Sequence, residues 1–146
     1  MIDLLDYKDR LKVVSQDDRQ KIYDVVRRRY FILTPEELVR QLFVSFLIDK
    51  ISISAKRIAV ERQIKVFGKN HRFDILVFSS EAHPMMIVEC KSHYQKLNNN
   101  VAIQAAKYNF ELKAPYLCVT NGMETKVFNI DFENENIVPL EDFPRL

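Results

Sequence analysis

The sequence predicts an α/β protein: a mixed β-sheet of about five strands flanked by helices, forming one domain over residues 1–146. Three observations predict it. Two segments of helical period, 34–50 and 98–113, stand among short runs of strand period. Turn signals join neighbouring runs into hairpins, except where the second helix separates two of them. The strand runs are apolar on both faces, so the sheet needs cover on both sides.

The elements follow in order. Residues 1–29 mix acids and bases and read as an N-terminal extension packed on the domain; Tyr30 to Leu33 is a short strand. "TPEE" then starts a helix, with Thr34 as N-cap, Pro35 at the first helical position and Glu37 placed for a capping box. Leu38, Val39, Leu42, Phe43, Phe46 and Leu47 give it a wide apolar stripe to about Lys50. "IAVERQIKVF", "GKN" and "HRFDILVF" read as strand, turn and strand. "SSEAHP" turns into a third strand, "MMIVECK". "NNNVAIQAAKYNFELK" is the second helix, with Leu97, Val101, Ala105, Tyr108 and Leu112 on one stripe. "APYLCVT", the tight turn "NG" and "METKVFNI" supply two more strands. The strand–helix–strand step after Lys91 predicts a parallel crossover. Residues 131–146 read as a loosely packed excursion.

Composition narrows the function. Twenty-two basic against twenty acidic residues give a net charge of +2, which neither demands nor excludes a polyanionic partner. Two glycines are too few for the phosphate loops of nucleotide-binding motifs. Cys90 and Cys118, behind an N-terminus too charged for a secretory leader, suit a reducing compartment and a cytoplasmic location. No apolar run approaches the ~18 residues of a membrane span, so no membrane partner is expected.

The informative anomaly is charge at the end of an apolar strand. Ile87, Glu89 and Lys91 share one face, Met86, Val88 and Cys90 the other. On the preceding strand Asp74 is expected with Leu76 and Phe78, and Phe73 with Ile75 and Val77. Buried charges need partners. One resolution is an ion pair, Glu89–Lys91 or Asp74–Lys91. The other is a hard-oxygen site for Mg²⁺ or Mn²⁺ held by Asp74 and Glu89, with Lys91 beside it: the equipment for metal-assisted phosphodiester hydrolysis.

Asp74, fourteen intervening residues and then Glu89-x-Lys91, with apolar strands leading into both, resembles the PD-(D/E)xK nuclease superfamily, with Phe73 in place of the motif's proline. "RRRYFILTPEELVRQ", "FDILVF", "VECK", "QAAKYN" and "LKAPYLCVTNG" together resemble the N-terminal nuclease domain of type I restriction enzyme R subunits, over roughly residues 20–142. The resemblance implies a restriction-endonuclease-like fold and a Mg²⁺-dependent nuclease acting on DNA. It assigns metal binding to Asp74, Glu89 and the carbonyl of Cys90, and water activation to Lys91. It also implies a glutamate from the first helix, Glu36 or Glu37. The spacing Glu36–Arg40 favours Glu36, and either acid can equally serve the helix dipole. Gln104 and Tyr108, at i and i+4 on the second helix, match a pair tied to DNA binding; the alternative is a core amide and a core tyrosine. In such enzymes the domain works with an ATP-driven motor and partner subunits. A motor or specificity subunit acting in trans is therefore one implied partner, and a homodimer is another. The rival expectation is a catalytically silent DNA-binding or assembly module on the same scaffold.

Other features carry less. Cys90 and His93 lack the second pair a zinc site needs, and both cysteines read as small buried apolar residues. Arg27 to Arg29, Lys56, Arg57, Lys65, Lys69, Arg72 and Lys96 offer phosphate contacts or simply a solvated basic surface.

Overall fold

The computed structural model describes residues 2–146. Two sheets and two α-helices make the mixed α/β architecture. A 3-10 turn, Leu4–Arg10, leads into a small antiparallel sheet of β1 (Val13–Gln16), β2 (Arg19–Asp24) and β3 (Arg29–Ile32). Helix α1 (Pro35–Asp49) follows. The main sheet has six strands in sequence order: β4 (Ile58–Val66), β5 (Lys69–Phe78), β6 (Pro84–Cys90), β7 (Tyr116–Thr120), β8 (Thr125–Asp131) and β9 (Asn136–Leu140). Helix α2 (Asn99–Tyr108) lies between β6 and β7, which is the parallel pair; the other neighbours are antiparallel.

The sheet is covered on both sides. Ile75, Val77, Met86, Val88 and Cys90 pack with Val39, Phe43, Phe46 and Leu47 of α1. Leu76, Ile87, Leu117 and Val119 pack with Ala102 and Ala105 of α2.

Several boundaries differ from expectation. The 131–146 tail holds β9, and its Phe143 meets Phe46 edge-on at 5.1 Å. The strand is short and bounded by acids, so its alternation is faint in sequence. The N-terminal extension contains β1 and β2, whose mixed polar faces carry little hydrophobic period. The β4–β5 turn is Phe67–Gly68, both at positive φ, in place of "GKN". Both residues in that region give the twist of a two-residue hairpin. Helix α2 stops at Tyr108 because the Asn109 side chain bonds both the N–H and the carbonyl of Ala114, at 2.9 and 2.7 Å. The N-cap of α1 is as expected: the Thr34 hydroxyl accepts from the Glu37 N–H at 3.1 Å. The Glu37 carboxylate turns to arginines instead of closing a capping box.

Candidate active site

The β5–β6 register, with Ile75 facing Val88, carries Asp74 toward Glu89 one step further on. Asp74 also links the strands directly, its Oδ2 accepting from the Cys90 N–H at 2.7 Å. Lys91 leaves β6 with its own N–H bonded to the Thr120 carbonyl at 2.8 Å, which fixes the base of its side chain. Lys91 Nζ donates to Glu89 Oε1 at 2.7 Å. Of the two ion pairs open in sequence, the Glu89–Lys91 pair is the one formed.

Asp74 departs from strict alternation. Phe73 joins the α2-side cluster with Leu76, whereas Ile75 and Val77 join the α1-side cluster. The β4–β5 ladder pairs Val60 with Ile75 and Arg62 with Phe73 but skips Glu61 and Asp74, and Glu61 has φ 53°. Both strands break step at that point. Both acids reach Arg40 of α1: Arg40 Nη2 stands 3.0 Å from Asp74 Oδ1 and 3.0 Å from Glu61 Oε1.

Arg40 is the centre of a buried charge cluster. It also pairs with Glu37, and at 3.3 Å with Glu36. Glu37 accepts further from Arg27 at 2.5 Å and Gln41 at 2.9 Å. Burial works against the Arg40 charge, yet Asp74 and Glu37 more than offset it, so its pKa is raised and the guanidinium stays charged. The two candidate helix acids thus part company. Glu37 is buried and fully engaged. Glu36 is exposed on the groove side rather than leaning into the packed side, because its neighbours there are solvent and the Arg40 tip.

The carboxylates and the amine sense one another. Burial, then the Asp74 charge, push the Glu89 carboxyl up, against the pull of Lys91. Burial opposes the Lys91 charge, but its bond to Glu89 and the charges of Glu89, Asp74 and Glu36 prevail, so its pKa is raised. Burial, with Asp74 adding to it, pushes the Cys90 thiol well up, and burial does the same for Cys118; both are inert thiols. Beside this cluster runs a groove of about 590 Å³ lined by Arg27, Phe31, Thr34, Glu36, Arg40 and Ser92, among others. Among the described residues no three Asp, Glu, His or Cys side chains converge into a ready-made metal cage.

Gln104 and Tyr108 do not sit on the sheet-facing stripe. Among the described residues of α2 and its C-cap, Ala102, Ala105 and Asn109 are the buried ones, and both Gln104 and Tyr108 are exposed. Of the expected stripe, Leu97, Val101, Ala105 and Leu112 pack in the α2-side core, and Tyr108 alone leaves it. The Tyr108 ring stacks on His71 of β5, centroids 4.0 Å apart and planes 32° apart.

Sequence reasoning missed Asp24, Arg27, Gln41 and Glu61 as members of the charge cluster. One signal was present: Glu37, Arg40, Gln41 and Val44 share a helical face, and a face ending in a buried valine must bury its charges too.

The family model described as Type I restriction enzyme R protein N terminus (HSDR_N) matches residues 35–144. That span holds Asp74, Glu89, Lys91 and Arg40, and leaves out β1 to β3. A search of curated proteins found no match to the chain.

Proposed function

We propose, because the chain belongs to the family of the type I restriction enzyme R protein N terminus, that it is a Mg²⁺-dependent deoxyribonuclease of the PD-(D/E)xK kind, hydrolysing phosphodiester bonds in the cytoplasm. The observation that carries this reading is the grouping of Asp74, Glu89 and Lys91, with Glu89 pushed up by burial and by Asp74. Two carboxylates in poor solvent contact are eased by a cation. Mg²⁺ accepts one or two protein carboxylates and keeps its remaining sites for water and phosphate, so a full protein cage is not required. Asp74 and Glu89 would hold Mg²⁺ or Mn²⁺, with the Cys90 carbonyl as a further oxygen and Glu36 helping directly or through water. A bound ion supplies Lewis-acid charge and makes water more acidic.

The remaining work belongs to the chain. Lys91 stands beside the two carboxylates, its Nζ 2.7 Å from Glu89 Oε1, with the amine next to the place an attacking water would occupy. It orients the attacking water and offsets charge on the phosphoryl oxygens as water oxygen bonds to phosphorus, giving its proton to bulk water, and the ester P–O bond breaks, the leaving oxygen taking up a proton from bulk water. Gln104 and Tyr108, both exposed on α2, would bind the DNA strand. The test is incubation of plasmid and linear DNA with Mg²⁺, Mn²⁺ or EDTA. Metal-dependent cleavage is expected from the parent, slowed about 100-fold in Lys91→Ala. Equal cleavage by both proteins, or none by either, removes the reading.

One observation favours a second reading. Both oxygens of Asp74 already accept from the chain's own donors, Arg40 and the Cys90 N–H. A DNA-binding or assembly module serving a motor or specificity subunit in trans needs no vacant carboxylate. Salt-dependent DNA binding indifferent to Mg²⁺ and to Glu89→Gln, without cleavage, marks that case.

A further inference from the structure

The small N-terminal sheet lies outside the family-matched span, yet its β2–β3 corner is tied to the candidate metal ligand by an unbroken chain of charges, buried except at the part-exposed Arg27. Asp24, fully buried at the end of β2, accepts from the N–H groups of Val26 and Arg27 at 2.7 and 3.0 Å. Its other oxygen holds Arg27 Nε at 2.5 Å. Arg27 Nη2 reaches Glu37 Oε1 at 2.5 Å. The second Glu37 oxygen takes Arg40 Nη1, and Arg40 Nη2 takes Asp74 Oδ1 at 3.0 Å. Asp24, Glu37, Arg40 and Asp74 are each more than nine-tenths buried. Charge therefore alternates in sign from the corner to the site, and each member has its oxygens or nitrogens fixed by the member before it.

We infer that this corner is a working part of the site: Asp24 and Arg27 are positioning residues that set the orientation of Asp74 through Glu37 and Arg40. A corner needing only to turn would be satisfied by the Asp24 bonds to backbone. The Arg27 fork goes further, joining Asp24 to a carboxylate on α1. Arg27 is itself steadied from above, its guanidinium lying 3.4 Å from the centroid of the Phe31 ring. A residue that fixes a metal-ligating carboxylate typically changes metal affinity by 10–100-fold when altered. The inference rests on the reading of Asp74 as a metal ligand.

The test uses the full chain and Mn²⁺ alone as probe, with affinity read by calorimetry and fold by circular dichroism. Asp24→Asn and Arg27→Lys are each expected to weaken Mn²⁺ binding about 10-fold while keeping the parent spectrum. Arg27→Lys retains the charge but loses the fork, so it decides the matter if Asp24→Asn does not fold. Ile22→Val loosens the same sheet without touching the charges and is expected to leave Mn²⁺ affinity unchanged. Parent-like affinity in the folded Asp24 or Arg27 variants overturns the relay alone, as does an equal loss in Ile22→Val. A parent that takes up no Mn²⁺ overturns the relay and the metal-site reading together.

Discussion

Against one face of the main sheet, α1 buries Glu37, Arg40 and Gln41 beside Phe43 and Leu47. Against the other, α2 buries Ala102 and Ala105 and turns Gln104 and Tyr108 to solvent. The difference teaches where charge can be tolerated inside this fold. On the α1 side every carboxylate finds an arginine, an amide or a backbone N–H, so charge serves as rigid scaffolding. On the α2 side small residues bring the helix close, and the Gln104 and Tyr108 side chains are exposed, where they can meet something outside the chain.

The comparison breaks most visibly at Arg40. Arg40→Leu leaves Glu37, Glu61 and Asp74 sharing a buried space without their common cation. Removing one partner of such a cluster is expected to cost about 3–5 kcal/mol of stability, measured by urea unfolding. A loss below about 1 kcal/mol is what a solvated surface pair gives, and it would place the cluster in that class. The α2 side has one comparable point. Asn109, fully buried, clamps both backbone groups of Ala114, and Asn109→Ala is expected to cost about 2 kcal/mol in the same assay. A cost as large as that at Arg40 would erase the contrast between the faces.

Substitution of Glu89, at the end of β6, is expected to act in the opposite direction. Its pKa is raised in the folded chain, so the fold favours the protonated carboxyl. That contribution is fully present below the unfolded pKa and is lost as pH rises through the folded value. Glu89→Gln keeps the neutral shape at every pH. It is expected to be more stable than the parent at neutral pH by roughly 1 kcal/mol, while any cleavage activity disappears. The two proteins should converge in acid, where Glu89 is protonated. Thermal melts across pH 4–8 check it, and a parent that is more stable throughout would mean the Lys91 bond outweighs burial.

The sequence made the α1 cap, the three strands around the acid cluster and the parallel crossover legible, because period, capping and turn chemistry are local. The pairing of Glu89 with Lys91 was legible too, since alternation puts them on one face. The partners of Asp74 were not. Alternation put Asp74 on the face of Leu76, which packs on the α2 side, and the broken step opposite Glu61 turned it to Arg40. Such a step depends on two strands at once, and neither carries a glycine or proline to announce it. Asp24 and Arg27 were hidden for the same reason: a buried ion pair is legible only when both partners lie on one element. The strand in the tail was hidden by its acidic surroundings.

The finest test of the contrast lies on the outer face of α2. Because Gln104 and Tyr108 are exposed, truncating them removes little that holds the fold, and Gln104→Ala and Tyr108→Ala are each expected to shift stability by less than about 0.5 kcal/mol. If that face meets nucleic acid, its loss falls on binding instead. The Tyr108 ring, stacked on His71 beside β5, offers a π-face that a base could use, and such contacts are worth about 1–3 kcal/mol per base. Affinity for a short single-stranded DNA, measured by fluorescence anisotropy in EDTA, should therefore fall in Tyr108→Ala while its melting curve overlays the parent's. Equal losses in both assays would make Tyr108 a packing residue. No loss in either would leave α2 as cover for the sheet, and any DNA would have to be held by the groove beside Arg27 and Phe31.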